Sequence, residues 1–339
     1  MSNDTDLYVS GEADADDWSR FVHAHPFGNI FQTEELYSVY KRTKNYDPIV
    51  LFLKSKDTDA IHGLASGVVI NEANVPIRMI ASRSIVQGGP LVLDGNNRIS
   101  ELSILLNEYT RRVKNRALYT QIENLYDNKY EFDAIPPYRR EDHLNFLINL
   151  DQEEKEIWGQ IHKDRRKNIN RSVNKGVEIE VLEDREKLGE FYRLLVETYR
   201  TVKVPLSDIS LFEAAYDILA KKGMAKFFLA KYEGRYIGAR VVLTYKDFVY
   251  DWYAGAENKS LSLYPNEHLV WHILKWGRVA GYKWFDFGGA GKPDVPYGPR
   301  EFKRRFGGEL VNYGWYEGVH HPVMTSMTMQ LFKVYQLLH

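Results

Sequence analysis

Two distant stretches of this sequence follow one pattern. Val50-Leu51-Phe52-Leu53-Lys54, a polar turn and Ile61-His62-Gly63-Leu64-Ala65 form the first. Phe227-Phe228-Leu229-Ala230-Lys231, a turn at Glu233-Gly234 and Tyr236-Ile237-Gly238-Ala239-Arg240 form the second. Each reads as an apolar strand, a reversal, and a strand with glycine at its third position. Each is followed later by a helix and a further strand. A spacing this long is not a solenoid period. It predicts an internal duplication at domain scale, with two similar α/β domains joined near residue 150. The length of 339 residues fits two domains of roughly 150 residues each. The expected domains are residues 1–150 and 151–339.

Periodicity places helices around Asp16 to Trp18, from Thr33 through Leu36, Val39 and Tyr40, and over 100–115, 191–199, 211–222 and 267–280. Strands are expected over 49–53, 61–70, 117–124, 226–232, 236–245, 248–254 and 284–287. The chain is 44% hydrophobic and 27% charged, which excludes a disordered chain, a collagen and a coiled-coil rod. Its aromatic content, 14%, reads as large cores with exposed tyrosines more readily than as a ligand groove. With no cysteine, disulfides, thiolate nucleophiles, iron–sulfur clusters and cysteine–zinc sites are excluded together. The net charge of -1 leaves any polyanion site to a local patch. The acidic start, Met1 to Asp6, is no secretory signal, and no window approaches a membrane-spanning apolar run. A cytoplasmic protein is expected.

Between the expected domains, Asp151 to Gly176 begins acidic (Asp151, Glu153, Glu154, Glu156) and ends basic (Lys163, Arg165, Arg166, Lys167, Arg171, Lys175). This order suits the macrodipole of a single helix closed by glycine. It is either a solvated helix or a polyanion contact surface. A last helix is expected over 323–338, with Met327, Leu331, Val334 and Leu338 on one face.

The second half carries an ordered series of motifs: Tyr250-Asp251-Trp252-Tyr253-Ala254-Gly255, then Leu263-Tyr264-Pro265-Asn266-Glu267, then Gly281-Tyr282-Lys283-Trp284-Phe285-Asp286-Phe287-Gly288-Gly289, then Glu301-Phe302-Lys303-Arg304-Arg305-Phe306-Gly307-Gly308-Glu309. With Pro26-Phe27-Gly28-Asn29-Ile30-Phe31-Gln32 and the basic helix, the chain resembles the FemAB family of non-ribosomal peptidyltransferases. The resemblance covers about residues 20 to 320 and is strongest from 226 to 309. It implies an α/β fold of two tandem GNAT-like (acyl-CoA N-acyltransferase-like) domains. It also implies transfer of an amino acid from aminoacyl-tRNA to an amine of a cell-wall or surface-polymer precursor. No long helical arm is present, so the short, arm-less type is the one resembled. That type holds its nucleotide diphosphate through a first-domain lysine and an arginine before a proline. Here those positions fall on Tyr40, beside Lys41, and near Val204 before Pro205, with Lys203 one place earlier. The family's Phe-Lys pair falls on Phe302-Lys303, where the lysine is implicated in catalysis or in holding the acyl ester. Some relatives act in polysaccharide pathways with acyl-CoA donors.

Aminoacyl transfer puts negative charge on a carbonyl oxygen, and a preorganised cation there is the largest single aid. Lys303 is the candidate, with Arg300, Arg304 and Arg305 dense enough to hold donor phosphates. Asp251 and Asp286 are candidate bases, although a buried, backbone-bonded aspartate is the commoner role for each, and proton transfer within the substrates needs neither. Gln32, Lys41, Tyr253 and Asn266 are the expected acceptor contacts, in a cleft between the domains. A CoA-binding loop of this fold supplies Gly-x-Gly amides at a helix N-terminus. Here Ser262 to His268 has no such glycines, and Pro265 has no N–H to give. No cofactor is expected. His268 and His272, four apart, read as packed histidines, and no metal is expected. Three functions stay open: a tRNA-dependent aminoacyltransferase, an acyl-CoA-dependent N-acyltransferase, and a non-catalytic binding module.

Overall fold

The computed structural model describes residues 6–71, 82–127, 132, 134, 135 and 137–327. It divides into two compact units, Met1–Asp142 with Tyr313–His339, and His143–Asn312. Elements are numbered along the chain.

The first unit holds β1 (Leu7–Ser10), β2 (Tyr46–Ser55), β3 (Ile61–Ile70), β4 (Arg83–Gln87), β5 (Leu91–Val92), β6 (Tyr119–Glu123), β7 (Arg139–Glu141) and β15 (Trp315–Val319). Its helices are α1 (Ala15–Ala24), α2 (Glu34–Arg42) and α3 (Arg98–Val113). The sheet order is β1-β2-β3-β4-β6-β15-β7, with β5 paired to β3. Strand alternation explains the two covered faces. Leu51 and Leu53 join Leu102, Leu105, Leu106 and Tyr109 of α3 in one core, while Phe52 meets Trp18 of α1 edge-on at 5.1 Å.

The second unit holds β8 (Asn145–Asn149), β9 (Glu178–Val181), β10 (Ala225–Tyr232), β11 (Arg235–Tyr245), β12 (Phe248–Ala256), β13 (Trp284–Gly289) and β14 (Glu309–Val311). Its helices are α4 (Glu154–Gln160), α5 (Lys163–Asn174), α6 (Leu188–Val202), α7 (Ile209–Ile218), α8 (Pro265–Val279) and α9 (Gly298–Arg304). The order is β14-β8-β13-β12-β11-β10-β9. Phe228 and Ala230 pack with Leu269, Val270 and Ile273 of α8, whereas Phe227 meets Phe191 of α6 at 5.1 Å.

The duplication is visible strand by strand. β1, β2, β3, β4, β6, β15 and β7 correspond in order and direction to β9, β10, β11, β12, β13, β8 and β14. In both units the one parallel pair on this path is the fourth strand with the fifth. Even the irregularity in the repeated hairpin is duplicated. Gly63 pairs with Leu53 and Ile61 with Lys54, so His62 is the extra residue of a bulge. Gly238 pairs with Ala230 and Tyr236 with Lys231, which makes Ile237 its counterpart. Both glycines leave room for a neighbour: a Cβ would come within 3.0 Å of the Leu91 carbonyl at Gly63, and within 3.0 Å of Pro265 at Gly238.

The division differs from a break at residue 150. β8 lies before that point and belongs to the second unit, and β15 lies beyond the second unit and belongs to the first. The sixth strand of each sheet therefore comes from chain next to the other unit, and no single cut separates them. Asp151 to Gly176 is also not one helix. Ile161 and His162 interrupt it: a Glu153/Glu156 capping box opens α4, and His162 accepts the Asp164 N–H to open α5. Among the described residues no helix is long and apolar enough to cross a membrane. The expected C-terminal helix is seen only over 322–327, and Leu331, Val334 and Leu338 lie outside the described residues.

Candidate active site

β12 and β13 pair in parallel over Phe248–Tyr250 and Trp284–Asp286 only. Beyond that point both strands are irregular. β12 bulges against β11 between its pairs at Asp251 and Tyr253. β13 loses register against β8 between Asp286 and Gly289. Bulges re-aim side chains and end pairing, and these two open the sheet where its chemistry gathers.

Lys303 of α9 reaches this opening. Its ammonium donates to the carbonyls of Phe287 at 2.7 Å, Gly288 at 3.3 Å and Gly289 at 2.7 Å. Its pKa is lowered to about 8, by burial first and also by Arg240, with Asp251 and Asp286 opposing the shift. Asp251 forms an ion pair with Arg240, both side chains being almost fully buried. Oδ1 of Asp251 and Nε of Arg240 are buried with no hydrogen-bond partner among the described residues. Asp286 is spoken for: its Oδ1 accepts from the Asn145 amide at 2.6 Å and the Gly288 N–H at 2.7 Å. Burial raises its pKa, against those two bonds and Lys303. It holds the turn that Lys303 grips from the other side.

His143 completes the cluster. Burial lowers its pKa to about 4, helped by Lys303, Lys292 and Arg300, so the imidazole is neutral at pH 7. A Cβ on Gly289 would lie 2.6 Å from its Nε2, so any other residue there would push the imidazole away. Tyr199 has its phenol pKa raised by burial first and by Asp251 next.

The expected residues take unequal places. Lys303, Asp251 and Asp286 come together. Arg304 and Arg305 are engaged by Glu301, at 2.8 and 2.9 Å. Arg300 is spent on backbone carbonyls, among them Ala290 at 2.8 Å and Pro293 at 2.9 Å. Phe302 lies under the Arg165 guanidinium, 4.5 Å away. Tyr253 shares a hydrogen bond of 2.9 Å with Ser207, and Asn266 stands in the first turn of α8. Lys41 is exposed, its Nζ 5.7 Å from the Tyr37 ring. Gln32 is fully buried and donates to the carbonyls of Gly88 at 3.1 Å and Gly89 at 2.6 Å. That is a scaffold role in the first unit. His268 and His272 have their pKa values lowered by burial, and His272 packs on Phe228.

The N-terminus of α8 stands where a CoA-binding loop would present amides. Tyr264 is left-handed, with φ of 57°, and Pro265 opens the helix. Glu267 places a carboxylate in the first turn, held by Arg165 at 2.6 Å and Asn168 at 3.2 Å. A proline and a resident anion disfavour a pyrophosphate there.

Residues 163–304 match the family described as an acetyltransferase (GNAT) domain. A comparison with curated proteins found no match. Among solved structures, FemX superposes with a TM-score of 0.69 at 17% identity, over 94% of this chain and 99% of that one. The structure of L-PGS from Bacillus licheniformis gives 0.58 at 16% identity, over 94% and 98%. A tandem GNAT protein from the clavulanic acid biosynthesis pathway gives 0.59 at 10% identity, over 93% and 99%. The chain shares the fold of these proteins, that of two GNAT-like domains in tandem, and the family match falls within its second unit.

Proposed function

We propose that this protein forms an amide, moving an aminoacyl group from tRNA to an amine of a cell-wall or surface-polymer precursor. The observation that carries this reading is the position of Lys303. A half-buried cation sits at the opening between β12 and β13, within a fold shared with FemX and L-PGS along nearly the whole chain. In the reaction the amine nitrogen attacks the ester carbonyl, a C–N bond forms and the C–O bond to the ribose breaks. The amine gives up a proton and the departing hydroxyl takes one. Lys303 brings its charge to the carbonyl oxygen as charge develops on it, and the long bond to Gly288, at 3.3 Å, is the one it releases to donate there. Asp251 supplies Oδ1, an acceptor that no group among the described residues uses, while Asp286 positions the turn. Tyr253 lies on the same strand as Asp251 and contacts the acceptor.

A second reading, an acyl-CoA donor, is favoured by the acetyltransferase family match and opposed by Pro265 and Glu267 at the start of α8. The test is turnover with a charged tRNA pool and an amine acceptor, with acetyl-CoA as competitor. Turnover that acetyl-CoA does not inhibit supports the tRNA donor. Turnover from acetyl-CoA alone overturns it.

A further inference from the structure

The basic residues near Lys303 are largely neutralised, but four cations of α5 are not. Arg304 and Arg305 share Glu301, and Arg165 is held by Glu267. Lys163, Arg166, Lys167 and Arg171 differ. Among the described residues no carboxylate lies within ion-pair distance of any of the four. They recur at helical spacing on one side of α5, with Asn170 and Asn174 between and beyond them, and together with Trp158 they line a shallow, open groove of about 590 Å³. The opposite side of the helix is the buried one, with Ile169 and Ser172.

The placement is costly for the fold alone. Because the chain breaks at Ile161 and His162, Lys163 and Arg166 stand in the opening turn of α5, at the positive end of its dipole. Solubility does not call for four unpaired cations there. We infer that this groove binds the sugar–phosphate backbone of RNA, and so docks the tRNA at a distance from its reacting ester; this rests on the tRNA-donor reading above. From Lys163 to Arg171 the helix rises about 12 Å, enough to follow successive phosphates of one strand. The lining favours RNA over a membrane surface. A bilayer is met by an apolar helix face, whereas this face is cationic and polar, and its one large apolar residue, Trp158, packs against Trp271 at 4.8 Å. The amides of Asn170 and Asn174 can reach ribose or base edges along the same track.

The test uses the full chain and labelled, deacylated tRNA in an anisotropy titration over a range of salt. It compares wild type with Arg171→Gln, with Lys163→Gln/Lys167→Gln, and with all four cations changed to Gln. All four side chains lie on the groove, so thermal unfolding should match wild type and report that the variants are folded. Each lost phosphate contact should shrink the slope of log K against log salt by roughly 0.7–0.9. The fourfold variant should therefore lose about 3, and its KM for charged tRNA should rise more than tenfold with kcat unchanged. If folded variants bind tRNA as wild type does and keep its KM, the donor reading stands and the groove assignment falls. If wild type neither binds tRNA nor uses charged tRNA but turns over acetyl-CoA, the donor reading itself fails and takes the inference with it. Loss of binding to phosphatidylglycerol vesicles, with tRNA binding unchanged, would assign the groove to a membrane and overturn the proposal.

Discussion

Lys303→Met removes one charge and keeps the length of the stem. The carbonyls of Phe287, Gly288 and Gly289 lose their shared donor. The turn keeps its Asp286–Gly288 bond, so the folded state should survive with a lowered melting temperature. Turnover is expected to fall by about 10²–10³, the usual effect of losing one preorganised oxyanion donor. The pH profile separates a chemical role from a merely structural one. With a pKa of about 8 in the folded protein, the protonated fraction of Lys303 drops from roughly nine tenths at pH 7 to one tenth at pH 9. The wild-type rate should therefore carry a descending limb near pH 8, worth about tenfold over that interval. Aminoacyl transfer followed in single-turnover mode from pH 6 to 9.5 reads it directly. In Lys303→Met the limb should vanish, and in Lys303→Arg it should move beyond the measured range, since a guanidinium stays charged. The groups that face this ammonium are Asp251, Asp286 and Arg240, and His143 is already neutral over the whole interval. A folded Lys303→Met enzyme that keeps wild-type turnover, or keeps the limb near pH 8, would refute the assignment.

Asp251→Asn strands Arg240 as a buried unpaired cation, and about 3–5 kcal/mol of stability should be lost in urea unfolding. The double change Asp251→Leu with Arg240→Met should regain most of the stability but none of the turnover. Gly28→Ala sets a Cβ 1.8 Å from the Val22 carbonyl oxygen, and a loss of about 1–3 kcal/mol or more is expected from the forced backbone shift, read as a lower melting temperature. His143 has its folded pKa depressed from 6.5 to about 4. Below pH 6.5 the unfolded chain binds the extra proton first, so its contribution is intact above that pH and lost as pH falls toward 4. Urea titrations of wild type and His143→Gln should converge in slope above pH 7 and part below it. A chain ending at Asn312 lacks β15, leaving β6 and β7 without their shared neighbour. Hydrogen exchange over 119–123 should then lose its protection while that over 225–245 keeps it.

The duplication was legible because its signal is a long run. A hairpin of two apolar strands with a glycine at a fixed place survives two divergent histories, and both copies folded where the pattern put them. β8, β14 and β15 were not legible, being three to five residues long. Their neighbours in the sheet come from distant chain, so nothing local marks them. The single helix expected over 151–176 failed for a specific reason: its charge order satisfied the dipole, but Ile161 and His162 are turned out of the helix by a cap that only geometry reveals. At the site, Lys303, Asp251 and Asp286 came from motif order. Arg240 was missed although it was marked, since one arginine inside Ile237-Gly238-Ala239-Arg240-Val241-Val242-Leu243 needs a buried partner. His143 carried no such mark. It reaches Lys303 through the register of β8, and register is a tertiary fact.

The two units also explain why only one of them carries the cluster. At the corresponding place in the first unit, β4 and β6 pair through Gln87 and Glu123 without irregularity, and the Gly88 N–H extends the ladder to the Glu123 carbonyl at 2.8 Å. Gln32 and Asn29 then tie down the carbonyl of Gly88. Neither β3 with β4 nor β6 with β15 shifts register among the described residues. In the second unit both neighbouring pairs are broken, β11 with β12 and β13 with β8, and the parallel pair stops at Tyr250 and Asp286. One duplicated sheet is thus closed by side chains and the other opened by two bulges. An opening of this kind leaves carbonyls of β13 short of strand partners, and the Lys303 ammonium is what satisfies them. Lys303 therefore answers a structural demand that the bulges create, and the same demand holds a positive charge where an ester oxygen can use it.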